Sequence, residues 1–517
     1  MTKEVKKRTI FTFAVVEIFV VVIGNIFDLE PVSIICMAIF VGSIMLIISE
    51  LFSRATSALL AAALMLSVLH IVNGIPPEVV VHEYVELGTI LTLFGIIIVA
   101  SLGLRSGLFY YIGMKLAKMS KGNPTTLYFI LAVFTYVLNI FLIAVATIVV
   151  VVFLTLAICD ILKIDPRPYV LMEIFVVNVG ASATMISAVP NIIIAEEASL
   201  SYSFFILYLL PFTFIFFLMS LWILYGVSPP PTVVDKMRAI AILEVDEWWF
   251  VKDKRVFYIS VLCMAGIIIS FMISRELMLL SLLFAVIGMM AYPKTEELIR
   301  DVDWDTLLFL VGFYIVIAGL SITGILEFIA NGLIAASRGN IFLLVTLLFW
   351  ISVLMSGFVD NIPYVLIIIQ IIGIVLETGP YGGYSTIFWV LLILACNIGG
   401  ALNPYSAPQN LMAISMCKRA KSPIITKDYY RVSVRWTITG GIMAFTYVIL
   451  IMFSSRIIAK LGTYVSIFLL IASVVIILMI TIQKTIGLKR MVRAIKKTPR
   501  YLRDLIRSIE KKLRTLS

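Results

Sequence analysis

Long apolar runs, separated by short polar breaks, fill the chain from Thr9 to about residue 483. Twelve of them suit a full membrane crossing, which takes about 20 residues of helix. They are 9–27, 31–50, 54–74, 88–105, 168–191, 203–225, 256–273, 276–292, 305–323, 384–414, 432–453 and 463–483. Two further apolar stretches, 124–158 and 341–377, do not fit as single helices. Each is expected to form a hairpin that enters and leaves the bilayer on one side. The pattern predicts an all-α polytopic membrane protein of about 12 transmembrane helices plus two re-entrant hairpins.

Composition removes the alternatives. Hydrophobic residues make up 62% of the chain and charged residues 14%, with a mean hydropathy of +1.11. A water-facing globule is only about half apolar, so lipid is the natural solvent and the bilayer a necessary partner. The net charge of +10 would favour nucleic acid in a soluble protein. Here the basic residues sit in loops and in the tail, which marks membrane orientation, and no nucleic-acid partner is expected. With the N-terminus inside and one crossing per full span, 36 of the 40 Lys and Arg fall inside. Only Arg275, Arg338, Arg456 and Lys460 fall outside. This predicts a multi-pass protein of the cell membrane with both termini cytoplasmic. The five cysteines have no paired spacing, which argues against disulfides and zinc. No nucleotide loop, catalytic triad or metalloprotease helix is present, so neither an enzyme activity nor an organic cofactor is expected.

The chain also repeats itself. Ser120-Lys121-Gly122-Asn123 recurs as Ser337-Arg338-Gly339-Asn340, and Gly95 and Gly107 recur as Gly312 and Gly324, all 217 positions on. Beyond the hairpins the offset becomes 219: Asn178-Val179-Gly180-Ala181 returns as Asn397-Ile398-Gly399-Gly400, and Asn191 as Asn410. In the predicted topology the first Gly-Asn turn lies inside and the second outside, so the repeats are inverted, a common plan in secondary transporters. The organisation follows. Residues 1–53 hold N-terminal helices, 54–225 the first repeat, 226–255 a cytoplasmic linker and 256–275 a connecting helix. The second repeat is 276–453, followed by a final span in 454–483 and a basic cytoplasmic tail, 484–517, expected to lie along the inner leaflet.

Polar residues inside the spans mark the chemistry. Asn178, Gly180, Ser182, Thr184, Ser187 and Asn191 interrupt one span, and Asn397, Gly399, Asn403, Ser406, Gln409 and Asn410 interrupt its repeat mate. Pro190 and the glycines weaken both helices. Broken helices offer free carbonyls to cations and free amides to anions; the plainer alternative is a helix-packing seam. The two segments are expected to face each other across one central cavity. The second hairpin carries Ser356, Asp360, Asn361 and Pro363 at its tip, and an Asp amid apolar sequence is a functional candidate by default. It is assigned the ion-coupling role, with N-capping as the plainer alternative. Asp360, Asn361 and Asn397 together could hold sodium. In the first hairpin Ile143 and Ala144 replace the Asp-Asn pair, leaving Asn139 and Thr147 as its polarity. Glu173, before Asn178, is a weaker candidate near the inner interface.

With these residues in hand, the chain from Arg54 to Ser415 resembles the arsenite-permease, sodium–proton antiporter and melanosomal P-protein group. That group belongs to the ion-transporter superfamily and shares a citrate-transporter-like domain. The resemblance is carried by Ser356 to Pro363, which matches a Ser-Ala-Phe-Xaa-Asp-Asn-Val/Ile-Pro hairpin motif, and by Asn178 to Asn191, which matches an Asn-Ile-Gly-Gly motif ending in Gly-Asp-Pro-Pro-Asn. Two positions depart from it. The acidic residue of the second motif is absent from Ser187-Ala188-Val189-Pro190-Asn191, and the first tip lacks Asp-Asn. The resemblance implies that the tips and broken helices build ion and substrate sites in a unit that moves like an elevator, in a protein that is often a homodimer. The expected function is secondary active transport of a small ion or oxyanion, arsenite-permease-like, coupled to a proton or sodium gradient. Sodium–proton exchange, organic-acid (citrate-like) transport, and an uncoupled channel-like or sensory role are the alternatives.

Overall fold

The structure, a computed structural model, is described for residues 3–49, 51–232, 239, 243–274 and 276–457. Met1–Phe453 forms one compact unit and Ser454–Ser517 a second. The predicted final span and basic tail lie outside the described residues. Among those described there is no strand, and the principal helices number 21. They are α1 (Lys3–Ile26), α2 (Pro31–Ser49), α3 (Arg54–Asn73), α4 (Pro77–Tyr84), α5 (Leu87–Arg105), α6 (Leu108–Met119) and α7 (Pro124–Phe141). Next come α8 (Ala144–Leu162), α9 (Arg167–Gly180), α10 (Val189–Glu197), α11 (Tyr202–Val227), α12 (Lys254–Ile273), α13 (Leu277–Ala291) and α14 (Thr295–Arg300). The rest are α15 (Trp304–Ile322), α16 (Ile325–Ser337), α17 (Ile341–Phe358), α18 (Asn361–Thr378), α19 (Ser385–Gly399), α20 (Pro408–Arg419) and α21 (Thr426–Ile457).

Twelve of the described helices are long and apolar enough to cross a membrane. The number equals the sequence expectation, but the membership differs. The hairpin arms α7, α8, α17 and α18 have 18 or 19 residues each and are among the twelve. At 1.5 Å per residue, each reaches about 27 Å. Helix α13, with 15 residues, falls short, and so do both halves of the first broken segment and the second half of the other, whose first half lies in the candidate span Gly382–Gly399. The hairpin turns are two residues long, Leu142–Ile143 and Val359–Asp360.

The repeat has a local physical basis. Gly122 and Gly339 both take positive φ, as do Lys121 and Arg338 before them. Asn123 and Asn340 then cap the next helix, accepting from Thr126 N and Phe342 N. A turn of this hand needs glycine and the helix start needs a short side-chain acceptor, so the Gly-Asn pair is preserved between the repeats.

Each repeat lends its first helix to the other. Helix α3 runs beside α15, and a methyl group on Gly312 would lie 2.7 Å from the Ala58 backbone. Helix α13 runs beside α5, where Gly95 approaches Ser281 as closely. Small residues at such crossings let backbones touch, as lipid-embedded bundles require. The end of α5 is tied to α14 by Arg105, which pairs with Glu297 in that helix and with Asp301 just after it. The hairpins and broken helices form a second group, in which α8 packs on α20 and α18 on α10. Helices α11 and α21 wall this group, with Phe216 against Trp436 at 4.7 Å and Phe212 stacked on Tyr447.

Candidate functional site

Both broken helices open at the sequence-predicted motifs, and the freed backbone is satisfied in the same way twice. Ser187 Oγ donates to the carbonyls of Ala181 and Thr184 at 2.8 and 2.7 Å. Ser406 Oγ donates to those of Gly400 and Asn403 at the same distances. Asn191 Nδ2 donates to the Ala181 and Thr184 carbonyls, and Asn410 Nδ2 to that of Gly400. An unpaired backbone group in lipid costs several kcal/mol, so these side chains are what permits the breaks. Thr184 also donates to the Ile140 carbonyl, and Ser182 lies buried in the first break. In the second, Asn403 is part-exposed and accepts from Tyr405 N and Tyr430 Oη.

The two breaks meet. Asn178 Nδ2 donates to Asn410 Oδ1 at 2.8 Å, and Asn397 Nδ2 to Asn191 Oδ1 at 3.2 Å. Gln409 Nε2 adds a bond to Asn178 Oδ1. The first two bonds are repeat mates of one another. Of the residues expected to face each other across a cavity, the amides Asn178, Asn191, Asn397, Gln409 and Asn410 touch directly, because their donors and acceptors complement each other across the pseudo-two-fold axis.

Each tip rests on a break. Ser356 Oγ donates to the Cys396 carbonyl and to Asn361 Oδ1. A methyl group on Gly399 would lie 2.4 Å from the Val353 carbonyl oxygen. At the first tip Asn139 Nδ2 donates to the carbonyls of Leu142 and Ser187, and Gly180 meets Asn139 Oδ1 at a comparable approach. Asn139 Oδ1 and Thr147 Oγ1 are buried without partners, neutral oxygens of the kind a hard cation accepts. Asp360 caps α18 through Ile362 N at 3.1 Å, and its other oxygen accepts from Arg54 Nη1 at 2.8 Å. Arg54 also lies 3.5 Å from Asp305. Sequence reasoning counted Arg54 only as a loop charge. Its position as the first residue of an apolar helix was the available signal. Glu173 is fully buried, accepts from Thr155, and keeps one carboxyl oxygen unpartnered.

The repeats are in unequal register against their neighbours. Helices α5 and α15 are repeat mates. Phe141 and Leu142, at the first tip, line a small apolar pocket with Ile96, Val99 and Ala100 of α5. In the second repeat Leu366, Ile369 and Gln370 of α18 border Tyr314, Ile317 and Ala318 of α15. Transferred through the repeat, these neighbours differ by at least about eight residues, or about 12 Å at 1.5 Å per residue. The cavity holding the α18 contacts measures about 200 Å³ and is also lined by Glu83, Glu86 and Glu197.

Residues 44–393 match the citrate transporter family, CitMHS. An uncharacterized transporter of Mycobacterium tuberculosis is 28% identical over 402 residues, covering 76% of this chain and 92% of its own. The P protein of Mus musculus is 32% identical over 163 residues, which is 32% of this chain and 20% of that protein. Among solved structures, the YdaH transporter of Alcanivorax borkumensis shares the fold, with a TM-score of 0.53 at 11% identity, over 76% of this chain and 96% of that one. Matched over about two thirds of its length, this multi-pass membrane protein belongs to the citrate transporter family.

Proposed function

We propose that the protein is a secondary active transporter of a small ion or oxyanion, coupled to a sodium or proton gradient through Asp360. In this reading the hairpins and broken helices form one rigid unit that slides, elevator-like, against α3, α5, α13 and α15. The observation that carries it is the unequal register. Two sequence-equivalent halves that grip equivalent helices about 12 Å apart describe one end of a stroke, and exchanging their registers describes the other. The interlocked breaks support motion as a body. With 36 of 40 basic residues on the N-terminal side, Arg54 lies at the cytoplasmic end, so the end described is the inward one. Re-entrant hairpins fit the tips' contacts inside the broken helices. The substrate would sit where the tips meet the breaks, beside Asn139, Ser356 and Asn361.

Family membership favours a second reading for the cargo, an organic acid such as citrate. Purified protein in proteoliposomes, with sodium and proton gradients imposed separately, tests both. Gradient-driven uptake of labelled arsenite, another oxyanion or citrate is the expected result. Passive, gradient-independent flux of every substrate would indicate a channel-like protein instead.

A further inference from the structure

We infer that Arg54 is the cation-release residue of this transporter, a built-in competitor that displaces sodium from Asp360 at one end of the stroke. The inference rests on the reading of Asp360 as the coupling carboxylate. Asp360 belongs to the hairpin tip, whereas Arg54 belongs to α3, which is fastened along α15. Their 2.8 Å ion pair therefore joins the sliding unit to its track. The Asp360 side chain is 9% exposed, so its charge depends on the protein for neutralisation.

Along α3 and α15 that neutralisation is offered only once. Arg54 is the first residue of α3, and neither α3 nor α15 carries another Lys or Arg. A tip moved about 12 Å along α15, or about eight residues, leaves Arg54 and Asp305 for the α15 face that borders α18, where Tyr314, Ile317 and Ala318 stand near Glu83, Glu86 and Glu197 and offer no basic side chain. A bare carboxylate opposite that face would be costly. Asp360 must then take a cation from solution before it can leave Arg54. On the return leg, the guanidinium, fixed in place and permanently charged, takes over the carboxylate and frees the ion. The sequence is balanced: one positive charge stays with Asp360 at every stage, supplied in turn by Arg54 and by sodium. The first repeat has no such exchange. The Ala58–Gly312 and Ser281–Gly95 contacts are repeat mates, so the counterpart of Arg54 is Leu277, and that of Asp360 is Ile143.

The test needs no substrate. Purified full-length protein in nanodiscs is heated at neutral pH while sodium replaces potassium at constant ionic strength. A ligand that binds the folded state raises the unfolding temperature in proportion to its affinity. The wild type should respond weakly, because Arg54 occupies the site. Arg54→Gln should lower the sodium midpoint by about tenfold or more. Arg54→Lys should restore a wild-type midpoint in part, and Arg54→Gln with Asp360→Asn should abolish the response. An unchanged midpoint in Arg54→Gln, or a response that survives Asp360→Asn, would overturn the assignment. So would stabilisation that follows acidity without sodium. If Arg54→Gln does not fold, an Arg54→Lys midpoint equal to wild type overturns it and a lower one supports it. Absence of gradient-driven flux in proteoliposomes, beside the expected midpoint shift, would instead fail the transport reading and leave the competition intact.

Discussion

The two hairpin tips occupy equivalent places in the repeat yet meet opposite surroundings. At the first, Leu142 and Ile143 are buried, and the neighbouring pocket is walled by Ile96, Val99, Met264 and Ile267. At the second, Asp360 caps its helix and reaches Arg54. The backbone plan is shared: arms of 18 or 19 residues, a two-residue turn and contact with a helix break. The difference teaches that a repeated backbone plan can be kept while a single substituted pair makes its two tips chemically unequal. In the proposed carrier, the shared plan would serve the stroke and the unequal pair its coupling.

The most damaging change should be one that makes the first tip resemble the second. Ile143→Asp places a carboxylate against an apolar wall with no basic partner, at a cost of about 3 kcal/mol. Recovery of folded protein after detergent extraction should fall sharply, whereas Ile143→Val should extract normally. Gly399→Ala belongs in the same range, because its methyl group would press on a backbone carbonyl that cannot swing aside, costing about 3 kcal/mol. Its repeat mate Gly180→Ala meets the Asn139 side chain, Oδ1 at 2.7 Å and Cβ at 3.0 Å, instead of backbone, and should cost nearer about 1 kcal/mol, within the overpacking range. Thermal unfolding of the two glycine variants would compare the seating of the tips directly, and equal losses would show that the breaks are gripped alike.

Asp360→Asn should separate coupling from folding. The amide oxygen keeps the helix cap, so the loss of stability should stay near 1 kcal/mol. Gradient-driven flux should drop by about 100-fold, as expected when a charge needed at every turn of a cycle is removed. Normal flux across a range of pH would reduce Asp360 to a cap.

The smallest effect is expected at an ion pair of similar chemistry that lies outside the proposed sliding contact. Burial alone would raise Asp301, but hydrogen bonds from Arg105 and Ser101 outweigh it and hold the carboxyl below its ordinary value. A depressed carboxylate contributes stability at pH above its unfolded value and loses that contribution as pH falls through the folded one. Acid unfolding should therefore begin at higher pH in Asp301→Asn, by a small margin, since the pair is partly exposed. Flux near neutral pH should be unchanged, which distinguishes a fixed tie from the Arg54 exchange.

What the sequence disclosed and what it withheld follow a physical division. The repeat was legible because Gly122, Gly339, Asn123 and Asn340 obey local demands of turn and cap, which one residue type satisfies best. The breaks were legible because Gly, Pro and amides are expensive within apolar runs. The crossed Asn178–Asn410 and Asn397–Asn191 bonds were expected only as neighbourhood. Their direct contact depends on partners more than 200 positions apart. Arg54 was missed as a partner of Asp360 for the same reason, with 306 positions between them. The hairpins at 124–158 and 341–377 were legible as runs too long for one helix, but apolar length alone does not reveal where a two-residue turn divides a run.

The exchange of first helices between the repeats has a consequence for synthesis. Helix α5 is buried along much of its length against α13, which follows it by nearly 190 residues. At about 5–20 residues per second, its partner arrives about 10–40 s later. Through that interval the nascent first repeat must keep the small-residue face of α5 against lipid or the insertion machinery, and neither half can mature before the other.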